Sequence, residues 1–270
     1  WNMSYDQLIP YATPGFVAYA IFSLPAGWLA DRWSRDTMMT IFFVGIGLAS
    51  AATALADTPL QIAVGLFGIG IFAAIYHPVG IALVIEGHVR TGFPLAVNGV
   101  FGNLGVASAA LITGILIDHA GWRAAFVWPG LVSVGFGVLH HVVAARAGAE
   151  ARRTNSRPAG VAHQAYDRAV LLRVLGIVFF STAVGGLIFQ STTFSLPKVF
   201  DERLAGLAVS ATEIGIYAFL VFAVAAFAQL VVGYLIDRHS VRNIFMGIAV
   251  VQTAMFAAMP GLTGWAASFP

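Results

Sequence analysis

Two stretches lying 206 residues apart place a glycine, a carboxylate and a guanidinium at the same spacing. Gly27-Trp28-Leu29-Ala30-Asp31-Arg32-Trp33-Ser34-Arg35 and Gly233-Tyr234-Leu235-Ile236-Asp237-Arg238-His239-Ser240 both read Gly-x-Leu-x-Asp-Arg-x-Ser. A carboxylate just beyond an apolar run can settle at a neighbouring helix N-terminus, where the dipole favours it by about 0.3–1 kcal/mol. Charges so placed can anchor topology. His77 differs from them, being the one ionisable side chain well inside an apolar stretch, in Tyr76-His77-Pro78. An ionisable group at that depth is a candidate for substrate or proton handling. The alternative is a neutral imidazole bonded to a carbonyl freed by Pro78, since proline has no N–H to give and kinks a helix. Asn98, Asn103, Gln190 and Gln229 also fall within apolar stretches, where an amide can line a polar cavity or bond between helices. Phe16, Tyr19 and Tyr217 could supply an aromatic wall.

Other chemistries find no support. The chain has no Cys, hence no disulfide framework and no thiolate ligand or nucleophile. Gly68-Ile69-Gly70-Ile71-Phe72-Ala73 fits a dinucleotide pattern but lies inside a long apolar run with no strand before it. Gly65, Gly68, Gly99, Gly102, Gly105 and Gly114 read instead as small residues that let membrane helices approach. No Asp or Glu lies deep in an apolar stretch; Glu86 ends one, and Glu213 belongs to a Ser-x-x-Glu capping box with Ser210. His140 and His141 fall near the end of theirs and read as interfacial. A membrane-embedded enzyme would call for His-x-x-x-His or clustered acids near a membrane face, and the sequence has neither. A channel would not call for paired loops of the kind described above.

The elements that must position these residues are membrane helices. Of 270 residues, 59% are hydrophobic and 10% charged, against roughly 25% charged in an ordinary globular domain; the mean hydropathy is +0.85. That excludes a soluble enzyme, a nucleic-acid-binding domain and a disordered chain. Spans of roughly 20 apolar residues are expected at Tyr11–Ala30, Met38–Leu55, Leu60–Ile85, Leu95–Ile117, Trp122–Ala145, Ala169–Gln190, Ile214–Ile236 and Ile244–Met259. Alternate loops divide the cations eleven to three while the acids divide evenly, so the Arg-rich loops are expected on the cytoplasmic side. Arg146–Asp167 is polar and aperiodic and reads as a linker. The expected domains are therefore a first bundle over 1–145, a cytoplasmic linker over 146–168 and a second, partial bundle over 169–270. The first Lys or Arg is Arg32 and the chain opens with Trp1, so a cleaved leader is not expected and an upstream segment is.

The 206-residue repeat extends beyond the two loops. It pairs Ser4 with Ser210, Gln7 with Glu213, Tyr11 with Tyr217 and Phe16 with Phe222. Both copies enter from the same side, which makes the repeat parallel, about an axis along the membrane normal. At these residues the chain resembles the major facilitator superfamily (MFS). The stretch from Gly27 to Arg35 is similar to that family's loop between its second and third helices, and Gly233 to Arg238 to the loop between its eighth and ninth. Gly121-Trp122-Arg123-Ala124-Ala125-Phe126 resembles its entry to helix six.

The resemblance implies an all-α membrane protein with the two-bundle fold and parallel pseudo-twofold repeat of the MFS, incomplete here. By it the eight spans are helices two to nine of twelve, with a tenth expected to begin near 266. It further implies alternating access to a midplane site and a cytoplasmic gate built on Gly27, Asp31, Arg32 and Arg35, with Gly233, Asp237 and Arg238 as the second copy. Two departures stand out: Ser34 occupies a position where the motif usually has Gly, and Val241 the position of Arg35. Val64 stands where the family often has a proton-relay Arg. The run from Gly102 to Gly114 loosely resembles the helix-five signature of the exporters but lacks its Gly-Pro pair. The expectation is a secondary transporter of the efflux type, with uptake of an organic anion or sugar-like solute as the alternative. His77, Asn103, Gln190 and Gln229 are its candidate substrate or proton contacts. It would work as a monomer in a bacterial inner membrane, on a small-molecule substrate, without nucleic acid, metal or cofactor; proton coupling stays open.

Overall fold

A computed structural model describes residues 3–86, 91–154, 167–203, 210–236 and 238–258. Among the described residues there are helices and turns and no strand. A short helix α1 (Tyr5–Leu8) and a 3-10 turn (Ile9–Tyr11) lead into α2 (Thr13–Arg32), followed by α3 (Arg35–Thr53), α4 (Pro59–Ala73) and α5 (Tyr76–Ile85). Then come α6 (Gly92–Ala120), α7 (Ala124–Thr154), α8 (Arg168–Arg203), α9 (Ala211–Ile236) and α10 (Val241–Ala258). Among the described residues eight segments are long and apolar enough to cross a membrane, α4 and α5 together forming one of them. These correspond to the eight expected spans.

One expected break and two departures from expectation have local causes. The third span is broken at Ala74–Ile75, one turn before Pro78. Pro78 cannot donate to the Ala74 carbonyl and its ring crowds that turn, so the chain closes with a tighter bond from Ile75 N–H to Phe72 O (3.1 Å) and resumes with Val79 N–H to Ile75 O (3.2 Å). Helix α7 runs on to Thr154, past the expected boundary at 145, because Ala, Arg and Glu after position 145 are strong helix formers. The core of the expected linker, 155–166, lies outside the described residues. Helix α8 continues past Gln190 through Pro197 to Arg203. Its 36 residues rise about 54 Å, more than the roughly 30 Å hydrocarbon core, so its far end projects beyond the bilayer. There Lys198 pairs with Asp201 (3.0 Å) and Glu202 (3.4 Å), which together hold its ammonium above the usual lysine range.

Small residues set the closest helix approaches. A Cβ on Gly15 of α2 would lie 2.9 Å from the Leu66 carbonyl oxygen of α4, and Gly47 of α3 and Gly130 of α7 approach each other's backbone. Helix α6 packs on α9 along its length, with Gly114 against Ala211, Gly215 against Ala110, and Gly233 against Ala96. Ala107, Ala218 and Phe222 are buried between them, together with Leu196 and Phe200 of α8. Gly65 likewise approaches Thr53. Gly102 and Gly105 differ from their expected role, having no atom within 4 Å among the described residues. Elsewhere large apolar side chains point outward, Leu24 at 84% and Phe180 at 75% exposed, as a lipid-facing surface requires.

Helix ends carry their own caps. Ser210 and Glu213 form the reciprocal capping box at α9, with bonds of 3.1 and 3.2 Å. In the other copy Gln7 accepts from Ser4 N–H (3.1 Å) and caps the short α1 rather than the span. A third box, Thr58 with Gln61, starts α4. Gly121 ends α6 with φ of 79° and ψ of 167°, a positive-φ backbone that glycine adopts without a Cβ penalty. The adjoining Arg123 reaches back to cap α3, donating to the carbonyls of Ala54 (3.0 Å) and Ala56 (3.1 Å) and pairing with Asp57 (2.9 Å).

Candidate functional site

The C-terminal ends of α2 and α5 meet the N-terminus of α3 at Arg35. Its guanidinium lies 3.5 Å from Asp31 and 3.4 Å from Glu86. Asp31 is in the last turn of α2, Glu86 is the C-cap of α5, and Arg35 is the first residue of α3. Each charge therefore sits at the helix end whose dipole disfavours it. Mutual pairing, not the helix dipole, favours the cluster. The side chains are 38% (Arg35), 72% (Asp31) and 54% (Glu86) exposed, so each contact contributes at most about 1 kcal/mol and can be broken at little cost. Glu86 is the member that sequence reasoning missed. The signal for it was an acid at a helix C-terminus, where a cation is needed nearby.

The remaining motif residues are placed differently. Ser34 caps α3, accepting from Thr37 N–H at 3.3 Å, with φ of −162°, extended backbone that any residue adopts; the serine in place of glycine therefore imposes no strain. Arg32 stays out of the Arg35 cluster and stacks on Trp28, 4.3 Å from the ring centroid. Arg238 stacks on Tyr234 at 4.2 Å, the same pair one repeat later. Gly27 packs against Pro78 of α5 and Gly233 against Ala96 of α6, so the two glycines fix the approach of their helices. Asp237 lies outside the described residues. At the far end of α6 a second tie forms, with Asp118 accepting from the N–H (2.8 Å) and the hydroxyl (2.5 Å) of Thr212 at the start of α9.

Within the spans, His77 is exposed and stands edge-on to Tyr19 (centroids 6.1 Å apart) and to Tyr76 (5.6 Å). Its imidazole makes no hydrogen bond among the described residues, so the proposed bond to a carbonyl freed by Pro78 is not formed. Tyr76 donates to Asn98 Oδ1 at 3.0 Å, which makes Asn98 an interhelical link. Gln229 of α9 lies over Gly99 of α6, one helical turn from the half-buried Asn103. Gln190 is on an exposed stretch of α8, and nothing brings it to the others. His140 closes the α3–α7 pair near the Arg-rich end, with Nδ1 3.2 Å from Thr40 Oγ1 and Nε2 3.9 Å from Asp36. No group of three metal-ligating side chains occurs among the described residues.

A model of the Major Facilitator Superfamily matches residues 4–269. The chain belongs to this superfamily. Over 254 residues it is 28% identical to an MFS-type efflux pump of Mycolicibacterium smegmatis, a match covering 90% of this chain and 56% of the pump. It is 33% identical over 123 residues to the niacin transporter NiaP of Acinetobacter baylyi, covering 44% of this chain and 28% of that protein. A gallate transporter of Pseudomonas putida is 30% identical over 134 residues, 49% of this chain and 30% of the transporter. The chain thus spans between about a quarter and a little over half of these relatives' lengths. Family and spans together make it an integral, multi-pass membrane protein of a transporter family.

Proposed function

We propose that the complete protein is a secondary active transporter, exporting a small organic solute across a bacterial inner membrane by alternating access. Its Arg-rich helix ends, and the linker between the bundles of 1–145 and 169–270, face the cytoplasm. The observation that carries this reading is Arg35 held between Asp31 and Glu86 on three helices. A weak, exposed ion cluster in which every charge opposes its own helix dipole suits a contact that breaks in each cycle. Asp118 on Thr212 supplies a tie at the opposite end of α6 and α9, so each face of the membrane has something to release. Outward transport is favoured by the efflux pump, which aligns with 90% of the chain. The protein needs no cofactor and works as a monomer.

A second reading concerns the solute. The niacin and gallate transporters are named for planar aromatic carboxylates, which favours an organic anion, moved in either direction. Solute counterflow in proteoliposomes tests the transport reading. A carrier loaded inside with unlabelled solute accumulates labelled solute transiently; simple equilibration without overshoot contradicts alternating access and points to a channel.

A further inference from the structure

We propose that Tyr19, Tyr76, His77 and Asn98 form a binding site for a planar aromatic monocarboxylate; the site rests on the transport reading above and deepens it. His77 lies eight residues from Ile85, the end of its span, which is about 12 Å of helix, yet its side chain is exposed. A polar group at that depth faces protein or a water-filled cavity rather than lipid. The helix break at Ala74–Ile75 and the packing of Gly27 on Pro78 fix the backbone that carries it.

The surroundings are chemically one-sided. Tyr19 on α2 and Tyr76 on α5 present rings at 83° and 73° to the imidazole, so aromatic faces meet at near right angles. A planar ring placed there can stack on one face and meet another edge-on, both favoured aromatic geometries. The Asn98 carbonyl oxygen accepts from the Tyr76 hydroxyl, and its amide NH₂ adds a donor beside the rings. An imidazole N–H and an amide NH₂ are donors, and an ionised carboxylate is acceptor-only. No Asp or Glu lies well inside a span to repel it or to take the donors first. Rings plus donors select an aromatic acid over a neutral aromatic, which gains the rings alone, and over an aliphatic acid, which gains the donors alone.

Binding to the complete protein in proteoliposomes tests this, with nicotinate and benzoate as probes. Nicotinamide and benzamide serve as uncharged counterparts, and propionate as the acid without a ring. The acids are expected to bind roughly tenfold or more tighter than their amides, the usual size of a charge-assisted hydrogen bond. His77→Ala should remove that discrimination, Asn98→Ala should reduce it, and Tyr19→Leu should weaken benzoate while leaving propionate unchanged, all without loss of folded protein. Equal affinity in wild type and in both His77→Ala and Asn98→Ala overturns the site and leaves the transport reading standing. Counterflow of some other solute with no binding of either aromatic acid overturns the substrate class. Absence of counterflow for every solute tested overturns the transport reading, and this proposal with it.

Discussion

At the scale of single residues, stability and function separate at the Arg35 cluster. An exposed ion pair at 3.4 Å contributes at most about 1 kcal/mol. Glu86→Gln is therefore expected to leave the melting temperature within a few degrees of wild type. Transport should fall several-fold, because the link from Arg35 to α5 then loses its charge. A large drop in melting temperature with unchanged transport would make Glu86 a structural cap. Asp31 and Arg35 could be paired from sequence because they are four apart on adjoining helix ends. Glu86 could not, since 51 residues separate it from Arg35 and only the fold brings them together. Arg32 shows the opposite limit: its type suggested the cluster, but Trp28 four residues earlier offers the nearer, apolar partner for a guanidinium.

At the scale of elements, crossings depend on what a Cβ would meet. At Gly114 it would meet the Ala211 carbonyl of α9, whereas at Gly102 nothing lies within 4 Å among the described residues. Gly114→Val should cost about 1–3 kcal/mol and reduce the monodisperse, folded fraction in detergent. Gly102→Ala should be neutral or stabilising by up to about 1 kcal/mol. Equal effects at the two positions would contradict the α6–α9 packing described here. Hydropathy made all eight spans legible, and the missing N–H of Pro78 foretold the break ahead of it. The lengths of α7 and α8 were not legible, because polar residues ended the apolar runs while their helix propensity continued. Nor were the partners of individual glycines, since a small residue is permitted at a crossing without being obliged to make one.

At the scale of the whole molecule, the repeat has physical content. Two guanidinium–aromatic stacks, Arg32 on Trp28 and Arg238 on Tyr234, recur at the 206-residue shift, as does the capping pair Ser4–Gln7 with Ser210–Glu213. The α6–α9 crossing joins residues before 155 to residues after 166, and a rocking carrier needs such an axis with weaker ties at its ends. The Arg35 cluster is proposed as the tie on the cytoplasmic face. The most direct test is the initial rate of solute transport by the complete protein carrying Asp31→Asn, in membranes where insertion and amount match wild type. The account predicts a loss of at least roughly tenfold, since a neutral amide removes one of the two anions that face Arg35 and so its tie to α2, without changing shape. A rate equal to wild type would contradict it.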